Sequence, residues 1–183
     1  TSSVDPGTVE LPELPRFGVN LKIDKAFNHV KWFGRGPFEN YCDRNTAALV
    51  GIYENPVDRM FFPYVRPQES GTHTDVRWAA LTDETGTGLL VSGNPYFSFS
   101  ALPYTVDQLD YSTSLFRHPV DLVAQDFIDL NVDYKQMGVG GNDSWGARPL
   151  QKYTLYSRAY AFTFRLRPLT RGMNPELIHK EKN

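Results

Sequence analysis

At 183 residues the chain has the size of one domain and can bury a hydrophobic core without disulfide or metal staples. A formal net charge of −2, with both signs dispersed, supplies no cationic stripe for a phosphate backbone and argues against nucleic-acid binding; no apolar run is long enough to span a membrane as a helix, and no signal-like start is visible. The single Cys42 excludes an intrachain disulfide and leaves the compartment open, reducing or periplasmic.

Ten Tyr, twelve Phe and three Trp fall mostly in short alternating runs punctuated by Gly and Pro, which points to an all-β fold. Residues 1–15 carry three prolines among small polar residues and read as an extended lead-in or linker. From Phe17, apolar Phe17, Val19, Leu21 and Ile23 alternate with Gly18, Asn20 and Lys22, and a second strand is predicted over His29 to Phe33. The two read as a hairpin or near neighbours. Gly34 to Arg44 then reads as a loop, because Gly and Pro do not sustain a central strand. It is no nucleotide motif: Pro37 follows Gly36, Glu39 stands where a dinucleotide fingerprint needs its third glycine, and no Lys-Ser/Thr pair forms a P-loop. Arg35, Glu39, Asp43 and Arg44 are suited to an ion-pair network that pins this loop.

Thr46 to Tyr53 fits a strand or a helical turn. Beyond it, Glu69 and His73 are secondary candidates for an acid/base pair of the kind an aldose mutarotase uses, as are Asp75 and His118. The competing reading makes His73 a hydrogen-bonded residue at a strand start, since no third orienting group is identifiable. Asp75 to Leu81, Leu89 to Ser92 and Tyr96 to Ser100 are predicted strands of a meander, with a turn at Asp83 to Gly88. Thr105 and Gln108 have capping-box spacing and open one short helix.

Phe127 to Tyr134 alternates Ile128, Leu130, Val132 and Tyr134 with Asp129, Asn131 and Asp133, a strand with one buried face. The polar triplet reads as its solvated face rather than as a set of metal ligands, and no metal or cofactor is predicted. This strand delivers Lys135 to Gly146, where Gly138, Gly140, Gly141 and Gly146 allow a tight loop ending in Trp145. An indole face packs on the C–H patches of a sugar ring, and Asn142, Asp143 and Ser144 offer short hydrogen-bonding groups beside it. The bland alternative is a core-edge tryptophan closing a hairpin. Asn142 to Ser144 also matches an N-glycosylation sequon. Tyr153 to Arg167 is predicted as a core strand with Tyr160, Phe162, Phe164 and Leu166 on one face, and residues 170–183 as a charged, flexible tail. The domain proper is therefore set at 16–169.

Three of these stretches also carry a resemblance. Tyr134 to Gly146, Trp32 to Arg44 and Pro63 to Gly71 are similar, in order, to the C-terminal domain of the large bacterial β-galactosidases of glycoside hydrolase family two, and the likeness runs from about Leu14 to Leu169. The resemblance implies an antiparallel β-supersandwich like that of galactose mutarotases. It implies a tryptophan loop, here Trp145, that binds the sugar and leaving-group side of a β-galactoside such as lactose. The catalytic carboxylates then belong to a separate barrel domain of a parent enzyme that assembles as a homo-oligomer. The chain begins without Met and is shorter than the family's terminal domain, so its first strands are expected to be missing. A stand-alone carbohydrate-binding module and a mutarotase-like aldose epimerase are the alternatives.

Overall fold

The computed structural model describes residues 1–110, 112, 115, 116, 118–141, 143 and 145–180. Eight antiparallel strands build a β-sandwich: β1 (Ser2–Val4), β2 (Arg16–Asp24), β3 (His29–Gly36), β4 (Leu49–Pro56), β5 (His73–Thr82), β6 (Gly88–Leu102), β7 (Phe127–Gln136) and β8 (Tyr160–Leu169). One-turn helices α1 (Val106–Leu109) and α2 (Pro175–Ile178) and three 3-10 turns accompany the strands, and among the described residues no helix is long and apolar enough to cross a membrane.

The long strand β6 decides the architecture. One of its edges pairs with β5. Along the other, Gly88 to Asn94 pair with β8, and Ser98 to Leu102 pair with β7. The sheet therefore forks at Pro95 to Phe97, and its path runs β1-β8-β6-β5-β3-β4 with β7 and then β2 on the other branch. Aromatic side chains face each other across the fork: Tyr134 of β7 stacks on Phe162 of β8 at 5.7 Å, and Phe17 of β2 on Tyr160 of β8 at 5.8 Å. Phe17, Tyr134 and Phe162 belong to the main core with Trp32, Phe97, Phe99, Leu130 and Val132. Each fully buried Phe or Leu contributes about 1.5–3 kcal/mol.

The predicted β2–β3 hairpin does not form. β2 pairs along its whole length with β7, and β3 lies between β4 and β5. Side-chain matching explains the preference: Asn20 on β2 donates through Nδ2 to Asp129 and, at 3.0 Å, to Asn131 of β7, contacts that β3 does not offer. The same pairing corrects the reading of Asp129, Asn131 and Asp133 as a solvated face. All three are buried. Burial is tolerated because each polar group finds a partner, Asn20 for the first two, Ser100 Oγ at 3.1 Å for Asn131, and Arg16 at 3.3 Å for Asp133.

Other boundaries also moved. β3 runs through Gly34 to Gly36 because Gly34 leaves room for Val76, whose Cγ2 would lie 2.7 Å from an added Cβ. The strand expected from Tyr153 starts only at Tyr160, since Gln151–Tyr153 is a 3-10 turn. The Thr105 capping box is present in both directions, with Gln108 N donating to Thr105 Oγ1 and Thr105 N to Gln108 Oε1. In the lead-in, Ser2–Val4 pairs with β8. In the charged tail, α2 buries Ile178 in a second small cluster with Trp78, Leu90 and Leu169, an apolar anchor that the charge pattern conceals.

Candidate functional site

The glycine-rich loop leaves β7 at Gln136 and is tied down at once. Met137 N donates to Pro15 O at 2.9 Å and Gly138 N to Tyr153 O at 2.9 Å. The Asp43 carboxylate then accepts from Val139 N at 3.1 Å and Gly140 N at 2.8 Å. Gly138 is needed for proximity, because a Cβ there would lie 2.6 Å from Asp43 Oδ2; Gly140, Gly141 and Gly146 are needed for positive φ. At the tip, Asp143 Oδ1 accepts from Trp145 N at 2.8 Å and Ala147 N at 3.2 Å, fixing the turn that carries the indole. Of the ion-pair network expected among Arg35, Glu39, Asp43 and Arg44, the Arg44–Glu39 pair forms, while Asp43 binds backbone amides rather than an arginine. It serves the neighbouring loop.

Trp145 is 92% exposed, so the core-edge role has no support from packing. Of its predicted companions, Asp143 shapes the backbone, while Asn142 and Ser144 lie outside the described residues.

Beside the loop, a cleft of about 500 Å³ is lined by Gly138 to Gly141 together with Arg16, Arg44, Tyr64, Gln68 and Glu69. Glu39 is the hub beneath it: its carboxylate takes Arg44 at 2.8 Å, the Tyr64 hydroxyl, Ser70 Oγ at 3.3 Å and Gly71 N at 2.7 Å. Arg16 bridges Glu69 and Asp133. One guanidinium serving two carboxylates does not offset the burial of Asp133. Desolvation, with the charge of Glu69 adding to it, pushes the Asp133 carboxyl up to about 7 against the pull of Arg16.

The acid/base pairs considered from sequence are not assembled. Glu69 is taken up by Arg16 and by Thr72 Oγ1 at 3.0 Å. His73, only 2% exposed, has its ring 4.4 Å from that of Trp32 and 5.6 Å from that of Phe99, with Nδ1 3.2 Å from Arg35 O. Burial lowers its pKa to about 4, leaving a neutral structural imidazole. Asp75 is bound to Arg35 at 2.5 Å, and His118 flanks the 3-10 turn at Pro119–Asp121. Among the described residues no group of three or more His, Cys, Asp or Glu is placed to hold a metal ion.

Comparison with known proteins places the chain in a family. The family model described as beta galactosidase small chain matches residues 2–166, from β1 into β8. The chain belongs to the beta-galactosidase small chain family. Similar curated relatives include the beta-galactosidases of Priestia megaterium (44% identity over 160 residues), Vibrio cholerae (40% over 158) and Streptococcus thermophilus (36% over 165). These alignments take in 87%, 86% and 89% of this chain but only 15%, 14% and 16% of the relatives. A small-chain domain is thus one part of much longer proteins in these relatives.

The sequence did not reveal Asp43 as the loop's anchor, nor Arg16 and Asp133 as a buried pair. Their partners lie 97 and 117 positions away, and no local pattern encodes contacts at that range.

Proposed function

We propose that this domain is part of a β-galactosidase that hydrolyses terminal β-D-galactosides such as lactose, and that Trp145 is its contribution to the substrate site. The observation that carries the reading is an almost fully exposed indole on a loop held by Asp43, Pro15 and Tyr153, joined to membership of the small-chain family. Large apolar side chains are exposed at a solvent cost, and a rigid backbone that presents one is the form of a binding platform. The indole stacks on the sugar and its leaving group, while Gly138 to Gly141 and the polar cleft beside them provide hydrogen-bonding partners.

Bond cleavage belongs to a separate barrel domain. A retaining glycosidase needs a carboxylic acid and a carboxylate about 5 Å apart, both available to substrate. Here Glu39, Glu69, Asp75 and Asp133 are each engaged by an arginine. The domain positions substrate, and the barrel reacts with it. Trp145→Ala in the intact parent enzyme tests this: KM for lactose rises about five- to thirtyfold, equivalent to roughly 1–2 kcal/mol of lost stacking, with kcat less affected. Unchanged lactose kinetics in a folded, assembled enzyme would reduce Trp145 to a surface residue.

A further inference from the structure

Where β6 changes partner, a cavity of about 520 Å³ opens between the diverging ends of β7 and β8. Its floor and walls come from Thr74 and Asp75 at the start of β5, Pro95 to Ser98 at the bend of β6, Tyr134 to Gln136 at the end of β7, and the segment from Lys152 that leads into β8. Trp145 is not among its lining residues, so it is a different place from the tryptophan platform.

Its charge is one-sided. Lys135, Lys152 and Arg158 line it, against a single carboxylate, Asp75, which Arg35 already binds at 2.5 Å. None of the three cations pairs with a carboxylate among the described residues. Each rests instead on a tyrosine ring: Lys135 on Tyr134 at 5.2 Å, Lys152 on Tyr153 at 4.7 Å and Arg158 on Tyr160 at 5.4 Å. A ring face steadies a cation but accepts none of its N–H groups in the way an anion does. Arg158 spends only Nε, on the Tyr160 hydroxyl at 3.2 Å. The two terminal nitrogens of its guanidinium remain, a fork suited to a carboxylate or phosphate.

We propose that this cavity binds a small anionic ligand, a phosphate or carboxylate carried on a polar ring. The anion lies between Lys152 and Arg158 with Lys135 adding to the field, and the ring lies against Tyr153 and the Ser98 hydroxyl. The size agrees, because small-molecule sites fill roughly 300–1,000 Å³ and a bare phosphate would leave most of this one empty. Trp145 itself does not line the site, so the success or failure of this proposal is separate from that of the substrate reading above.

Calorimetric titration of the chain with glucose 6-phosphate, glucose and inorganic phosphate at low salt tests it. Glucose 6-phosphate is expected to bind at least tenfold more tightly than either of the others, and the affinity falls at least fivefold between 20 and 300 mM NaCl. The doubly substituted Lys152→Gln, Arg158→Gln chain, altered at two exposed positions and checked for an unchanged circular dichroism spectrum, loses at least tenfold. Equal affinity for glucose, insensitivity to the double substitution, or no measurable binding would each overturn the proposal. So would binding by the isolated chain that disappears in the full-length enzyme, since the cavity would then be the seat of an acidic segment of the parent.

Discussion

Asp43 and Gly140 lie 97 positions apart and are joined by a 2.8 Å hydrogen bond that runs from the loop amide to the carboxylate. With the second bond from Val139, this contact fixes where the glycine-rich loop leaves the sandwich. Asp43→Ala removes two charge-assisted bonds from a half-buried site, a local loss of about 1–2 kcal/mol. Amide exchange at Val139 and Gly140 should therefore accelerate about five- to thirtyfold while exchange in β7 stays slow. Unaltered exchange would mean that Pro15 and Tyr153 hold the loop unaided.

Asp133 sets a second expectation, in the pH dependence of stability. Its folded pKa of about 7 lies above the ordinary value of 3.8, so the folded chain retains a proton that the unfolded chain has released. Its contribution is complete below about pH 4 and is lost as pH rises through 7. His73 runs the other way: with a folded pKa of about 4 against 6.5, its contribution is present above 6.5 and is lost as pH falls towards 4. The two partly cancel in the wild type. Asp133→Asn isolates the first, and urea denaturation should show the variant gaining on the wild type by on the order of 2–4 kcal/mol between pH 4 and pH 8. A difference independent of pH would mean that Asp133 is ionised throughout.

Among the described residues the sheet ends at β4, which pairs with β3 on one side. Leu49, Val50 and Ile52 on it are 70%, 43% and 47% exposed, and an apolar edge of this kind is a template for strand addition. Light scattering on the chain should show mass rising with concentration, and Ile52→Lys should suppress the rise by placing a charge on the same strand. A wild-type chain that stays monomeric at high concentration would show the edge to be protected in some other way.

The isolated chain should release no galactose from lactose, because Glu39, Glu69, Asp75 and Asp133 are already engaged by arginines and the buried Asp129 by Asn20. Trp145→Ala should leave its unfolding free energy within about 0.5 kcal/mol of the wild type, as expected for a side chain that is 92% exposed. Galactose release that persists through removal of contaminating enzymes would contradict the first expectation, and a large destabilisation the second.

The alternation of Phe17 to Ile23, of Ile128 to Tyr134 and of Tyr160 to Leu166 was enough to predict strands, and the spacing of Thr105 and Gln108 enough to predict the cap that opens α1. The glycines around Trp145 announced a tight loop with an aromatic tip, and the order of three motifs announced the family. Those features are local, fixed by steric preferences over a few residues. Which strands became neighbours was not local. Asn20 chose Asp129 across 109 positions, and that choice turned an apparently solvated polar face into a buried one. Only the folded chain could decide this, because whether a polar side chain faces water depends on which distant partner satisfies it once water is excluded. The same holds for Asp43 beneath the loop, for Arg16 between two carboxylates, and for the cavity at the fork of β6. Each arises where segments far apart in sequence meet, and alternation along a single strand carries no record of the meeting.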